Sequence, residues 1–188
     1  MHGTGQFSLA GAQAKTALYF DERTSRWGDP SGAISTTHIL KPAIGGLDDH
    51  DLNEHLCLSA ARLLGLPAAM TEVLSLGAER VIAVTRYDRR RNRQGIAVRI
   101  HQEDMCQAAG VPPMIKYRNE GGPSPEVVID LLRRQVVPTA AAADQVNRFA
   151  DALGFNRVIA GTAAHAKNYS VLLVPVVGCT VMSFFRET

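Results

Sequence analysis

Three sets of residues in this 188-residue chain are of types that could do chemistry together. Gly11-Ala12-Gln13-Ala14-Lys15 places a lysine after small residues. Backbone N–H groups in such a loop approach phosphate oxygens closely, and the lysine adds charge. The second glycine of the P-loop pattern is absent, so these five residues also read as an ordinary turn. Lys41 and Glu54 form the second set, a lysine ending a short strand and a glutamate in the next helix. Phosphotransfer sites place a lysine on a strand after a phosphate-covering loop and hold it with a helical glutamate. A solvated strand-end lysine and a glutamate favoured by the helix dipole fit the same two residues. The third set is His165, Lys167 and Asn168. An asparagine amide oxygen can face Mg²⁺, and a lysine can offset phosphate charge. The position five before that asparagine, where protein kinases carry their base aspartate, is Ala163.

Other clusters have plainer readings. Asp48-Asp49-His50-Asp51 with Glu54 and His55 could bind a metal, or could simply be an acidic helix N-terminus. Arg89-Arg90-Arg91-Asn92-Arg93 reads as a basic turn between strands, solvated or touching an acidic partner or nucleic acid. Cys57, Cys106 and Cys179 are odd in number and form no C-x-x-C pair, which suits reduced thiols.

The elements that must position these residues follow from pattern. Thr16 to Asp21 is an apolar strand after the glycine loop, and Glu22 to Gly32 reads as a hairpin connection. Thr37 to Lys41 is a strand stopped by Pro42. Asp48 to Leu64 is the clearest helix, with Leu52, Leu56, Ser59, Ala60 and Leu63 on one stripe and Gly65 and Pro67 ending it. Thr71 to Leu76 and Arg80 to Tyr87 are strands around Gly77-Ala78, and Gly95 to Ile100 is a third. Helices then follow at Glu103 to Ala109, Glu126 to Val136 and Ala140 to Ala160, with a glycine-proline loop at Tyr117 to Pro125. Strands first and helices afterwards predict an α+β protein with two lobes, dividing near Tyr87 to Gly95.

In order along the chain, Ser8 to Lys15, Thr37 to Lys41 and Asn53-Glu54-His55-Leu56-Cys57 resemble three motifs of the HipA family. That family comprises serine/threonine kinase toxins of bacterial toxin–antitoxin pairs. Its motifs are a Ser-x-Ala-Gly-x-Gln-x-Lys loop, a Thr-His-Ile-x-Lys strand and an Asn-Glu-x-x-Cys helix. Val84-Thr85-Arg86-Tyr87-Asp88-Arg89, Gln102 to Gln107, Lys116-Tyr117 and Gly121-Gly122-Pro123 are also similar to the family pattern. So is Thr162-Ala163-Ala164-His165-Ala166-Lys167-Asn168, set against Thr-Asp-Gly-His-Ala-Lys-Asn. The resemblance covers Phe7 to about Leu173.

The resemblance implies a protein-kinase-like two-lobed fold: a mixed β small lobe at 1–90, a partial helical catalytic lobe at 91–174, and a divergent tail at 175–188. It implies ATP and Mg²⁺ as cofactors. Ala10, Gly11, Ala12, Gln13, Ala14, Lys15 and Lys41 would contact the phosphates. Glu54 would pair with the lysine. Thr85, Arg86 and Tyr87 would hold adenine between the lobes, with Thr85 replacing a family glutamate. Ser8 matches a serine that some members autophosphorylate. His165 shapes the catalytic loop, Lys167 and Asn168 act in it, and Asn168 would ligate metal.

Two departures bear on activity. Ala163 stands where the family carries its base, and loss of a general base is worth roughly 10²–10⁴ in rate. The segment after Leu173 contains no aspartate to match the family's second metal ligand. The expectation is a truncated and catalytically impaired HipA-like kinase, or else a pseudokinase module that binds an antitoxin or partner kinase. A nucleic-acid-binding fragment is the third reading. The family's partners would be a HipB-type antitoxin, with DNA reached only through it, and a protein substrate such as an aminoacyl-tRNA synthetase. A net charge of +2 gives little reason for direct nucleic-acid binding. The polar N-terminus and the short apolar run Val171 to Val177 predict neither secretion nor a membrane span, so the cytoplasm is the expected location.

Overall fold

The computed structural model describes residues 14–32, 34–44, 46, 48–136, 138–161, 165–174, 178–179 and 183–184. The first half builds a five-stranded antiparallel sheet in the order β2-β1-β3-β5-β4. Its strands are β1 (Thr16–Asp21), β2 (Arg26–Gly28), β3 (His38–Pro42), β4 (Thr71–Leu76) and β5 (Glu79–Thr85). The connection after β1 is tighter than its Gly/Pro content predicts. Asp21 accepts from the Arg23 N–H at 3.0 Å and from the Thr24 hydroxyl at 2.9 Å, closing the turn at Glu22–Ser25. Arg26–Gly28 is thereby free to pair as a strand.

Helix α1 (His50–Leu63) packs on β4 and β5 with a face other than the leucine stripe. Asp51, Leu58 and Ala61 are buried, whereas Leu56 and Leu63 are 65% and 89% exposed. Polar anchors choose the face. Asp51 accepts from Arg80 Nε at 2.6 Å and Nη2 at 2.9 Å, and His55 Nδ1 lies 2.9 Å from Thr71 Oγ1. A buried carboxylate must stay beside its guanidinium, so these contacts outweigh the apolar count of the other stripe. Asp49 caps no backbone N–H because its carboxylate is held by Arg80 Nη2 at 2.8 Å.

Beyond Thr85 the chain stays extended longer than predicted. The basic run is strand β6 (Arg89–Arg91), not a turn, paired with β7 (Ala97–Arg99). Strand β8 (His101–Asp104) then takes the residues expected to begin a helix, leaving α2 short at Met105–Ala108. Helices α3 (Pro125–Gln135) and α4 (Thr139–Val158) pack on each other and on strand β9 (Tyr169–Val174). Their shared core includes Met105, Leu132, Phe149, Ala152 and Val171. Ser124 caps α3, and Pro125 opens it, where no N–H is needed.

β9 is the centre of a second sheet, flanked by β8, β10 (Gly178–Cys179) and β11 (Ser183–Phe184). Gly178–Cys179 and Ser183–Phe184, in the segment read as a divergent tail, therefore pair with β9. The second lobe thus mixes its helices with a sheet. Among the described residues, no helix is long and apolar enough to cross a membrane.

Candidate functional site

Strand alternation decides which small-lobe residues share a face. Ile39 and Lys41 on β3 lie opposite Val84 and Ile82 on β5. Arg80 points the same way, and its contact with Asp51 puts α1 on that face. Lys41 is fully buried there, with Nζ 2.6 Å from Glu54 Oε1. Glu54 lies one turn beyond Asp51, so the Arg80 anchor also brings its carboxylate over β3. A lysine ammonium held by a helical carboxylate under a sheet is the arrangement that fixes a cation toward phosphate. Phosphate contact there entails uncovering Nζ from this buried position.

The segment joining the lobes is stapled by a charge network. Arg86 grips Asp88 with two bonds, at 3.0 and 2.7 Å. Arg89 Nη1 lies 2.7 Å from the same carboxylate. Arg89 also donates to the Thr36 carbonyl and, at 3.0 Å, to its hydroxyl. Burial pushes the Asp88 carboxyl up, but Arg86 and Arg89 outweigh it and hold it below the usual range. The Arg86 N–H donates to the Thr37 carbonyl at 2.9 Å, and the Tyr87 hydroxyl donates to Gln102 Oε1 on β8. Thr85 to Tyr87 are thus tied to both lobes through the backbone and through Asp88. Asp88 and Arg89 belong to the recognisable Arg-Tyr-Asp-Arg run, but nothing in spacing alone marks them as structural.

The described part of the 162–168 motif is His165 followed by a 3-10 turn at Ala166–Asn168. The register of β8 on β9 sets Asp104 opposite Ser170, three residues past Lys167. Asp104, 2% exposed, faces Lys167 Nζ at 3.5 Å. Its other oxygen accepts the Gln107 N–H, and Gln107 Oε1 accepts the Asp104 N–H, a capping box at the start of α2. Asp104 lies in the family-like run Gln102 to Gln107, and its Asp-x-x-Gln spacing is the signal for its capping role.

A second brace comes from the loop before α3. The Lys116 carbonyl accepts the Ala166 N–H at 3.3 Å, and the Tyr117 ring meets His165 edge-on at 5.1 Å. Burial, then Lys116, holds the His165 imidazole below its ordinary value of 6.5. His165 therefore sits as a buried, neutral packing group. Asn168 is buried.

Ala14, exposed, and Lys15, half-buried, are the described residues of the glycine loop. Ser8, Ala10, Gly11, Ala12, Gln13 and Ala163 lie outside the described residues. Among the described residues no group of three or more His, Cys, Asp or Glu side chains could hold a metal. The acidic cluster before α1 instead holds Arg80 through Asp49 and Asp51. Cys57 and Cys106 are free thiols, and burial pushes both up.

Residues 7–182 match the family model described as HipA-like C-terminal domain, so the match runs into the segment read as a divergent tail. Over 167 residues the chain is 41% identical to the Sinorhizobium fredii protein Y4mE, which bears the name of a kinase; the match covers 89% of this chain and 39% of that protein. Over 186 residues it is 28% identical to the serine/threonine-protein kinase toxin HipA of Shewanella oneidensis, covering 92% of this chain and 41% of the toxin. The chain spans about two-fifths of the length of these relatives. A solved complex of Shewanella oneidensis HipA, HipB and operator DNA matches with a TM-score of 0.74 at 25% identity, covering 100% of this chain and 44% of that one. The Helicobacter pylori proinflammatory kinase CtkA matches with a TM-score of 0.51 at 10% identity, covering 89% of this chain and 57% of that one, a likeness of fold alone. The two-lobed α+β arrangement is a kinase-like fold.

Proposed function

The chain belongs to the HipA-like C-terminal domain family, and from that premise we propose that it is the nucleotide-binding part of a serine/threonine kinase whose phosphoryl transfer is impaired. The observation that carries this reading is the Lys41–Glu54 ion pair at 2.6 Å, on the sheet face that α1 covers. Lys41 and the loop from Ala10 to Lys15 contact ATP phosphates. Thr85, Arg86 and Tyr87 hold adenine along the stapled connector, mainly through main-chain groups. The division into 1–90, 91–174 and 175–188 follows the same reading.

The phosphate half of the site fits its ligand better than the metal half. Mg²⁺ is held by carboxylates and other oxygens. The described residues supply the Asn168 amide without a cluster of acids beside it, and Asp104 is occupied with Gln107 and Lys167. We derive no catalytic step through the metal. Ala163 offers no group to take a proton from a substrate hydroxyl, and Ser8 is then not a self-modified residue of this chain.

A second reading rests on Ala163 itself. A domain that keeps the lysine pair but lacks the base suits a pseudokinase that binds a HipB-type antitoxin, as HipA does in the solved complex. An aminoacyl-tRNA synthetase substrate and a cytoplasmic location are carried over from the family resemblance. The nucleic-acid reading is narrowed, because Arg89 is paired with Asp88 and Arg91 with Glu22 at 2.6 Å, which leaves it to the exposed Arg90 and Arg93.

Thermal melts with ATP test the proposal. ATP should raise the midpoint by mass action, and Lys41→Ala should abolish that rise. Labelled ATP should mark neither this chain nor an added synthetase. Ala163→Asp alone should leave turnover far below the roughly 1–100 s⁻¹ of kinases. Strong labelling of the unaltered chain would refute the impairment, and no ATP effect on the melt would refute nucleotide binding.

A further inference from the structure

The face of the small-lobe sheet turned away from Lys41 and α1 carries a slot outside the Lys41–Glu54 pair, sharing only the Thr85 side chain with the segment assigned to adenine. Register defines it: Phe20 lies opposite Trp27, His38 opposite Thr85, and Glu72 opposite Ala83. Strand alternation sends all six side chains to the side opposite Lys41. Phe20, Trp27, His38, Glu72, Leu74 and Thr85 line a cavity of about 170 Å³. Trp27 and Phe20 stand 4.7 Å apart at 46°, and the Trp27 and His38 rings meet at 5.1 Å and 82°. The walls are therefore aromatic and splayed.

Charge and size select the occupant. Glu72 is exposed at the rim. The other carboxylate acting on His38, that of Glu22, is already bridged to Arg91 at 2.6 Å. Burial holds the His38 imidazole below 6.5, so no cationic ring opposes a positive ligand at neutral pH. Aromatic walls with an acid at the mouth favour an organic cation. The cavity is smaller than the roughly 300–1,000 Å³ of small-molecule pockets, so it suits one side-chain head with the rest of its molecule outside. A carboxylate accepts the two parallel N–H bonds of a guanidinium. A quaternary ammonium has no N–H to offer, and an ammonium is more strongly hydrated.

We infer that this slot takes the guanidinium head of an arginine side chain presented by a polypeptide partner, with Trp27 as its aromatic wall and Glu72 as its acceptor. The inference concerns the face away from Lys41 and does not rest on the nucleotide reading.

Trp27 is the chain's single tryptophan, so its fluorescence reports on this slot alone. The full chain would be titrated at constant ionic strength with acetyl-Ala-Arg-Ala-amide, with its citrulline counterpart, and with tetramethylammonium. The arginine peptide should give a saturable change in the millimolar range, and the two other probes should bind at least about tenfold more weakly. Glu72→Gln, a change at an exposed position, should weaken the arginine peptide roughly three- to tenfold with the melting midpoint unmoved. Glu126→Gln, on α3, should have no effect. The inference is overturned if the citrulline peptide or tetramethylammonium binds as tightly, if Glu72→Gln changes nothing, or if no saturable response is seen.

Discussion

Asp104 Oδ2 lies 3.5 Å from Lys167 Nζ, two residues 63 positions apart in sequence that the pairing of β8 with β9 brings side by side. The same carboxyl caps α2 through the Gln107 N–H at 2.9 Å. One side chain thus anchors a helix and faces Lys167.

Asp104→Asn and Asp104→Ala separate these two roles. Asparagine caps helices about as well as aspartate, so it should keep most of the cap and lose the charge facing Lys167. Alanine removes both and should cost about 1–2 kcal/mol for the cap alone. Urea unfolding should rank the variants wild type, Asn, Ala. Equal stability of the Asn and Ala variants would mean that the cap contributes nothing.

Arg80 anchors α1, and Asp51 beneath it is fully buried. Arg80→Ala strands that carboxylate and should destabilise the chain by roughly 2–4 kcal/mol. Asp49→Ala removes only the exposed partner and should cost under about 1 kcal/mol. The comparison needs only the denaturation midpoints of the two variants. If the Asp49 variant were the weaker, the assignment of the anchor would be wrong.

Acid should weaken the fold in two stages. Burial depresses the imidazoles of both His38 and His165 below 6.5. Between that value and their folded values the unfolded chain binds more protons, so stability falls as pH drops below about 6.5. Asp88 is also depressed, from 3.8. Its contribution is present above about pH 4 and is lost as pH falls further. Melting midpoints from pH 7.5 to 3 should show both steps, and a His38→Gln, His165→Gln double variant should flatten the first. A midpoint that rose on acidification to pH 5.5 would contradict the sign.

Gly122 has no room for a side chain. A Cβ there would stand 2.8 Å from the Ile115 carbonyl oxygen, the Lys116 carbonyl carbon and the Tyr117 carbonyl oxygen. These are backbone atoms of the segment that braces Ala166 and His165. Gly122→Ala should cost about 1–3 kcal/mol and shift the His165 ring protons in NMR by moving Tyr117. Gly77→Ala is the contrast. It tests backbone strain at φ +65° with open space around the Cβ, and should leave the His165 signals in place. Unchanged His165 signals in the Gly122 variant would remove Tyr117 from the brace.

The kinase-like order of elements was legible in the sequence because it is written in local signals. Thr16–Asp21 and Thr71–Leu76 emerge with their predicted bounds, and α3 and α4 lie within a residue or two of theirs. Lys41, Glu54 and the alanine at position 163 stood out through motifs that resemble the HipA family, since spacing alone also fitted a solvated lysine and a helix-dipole glutamate. The packed face of α1 was not, because leucines at helical spacing compete with an aspartate whose burial makes sense only once Arg80 is beside it. The basic run became a strand for the same reason: Arg89 is committed to Asp88 and Thr36 across the connector. Asp104 beside Lys167, and three rings gathered on the far side of the sheet, depend on strand register. Register is a relation between distant segments, decided by which faces the whole chain can bury together.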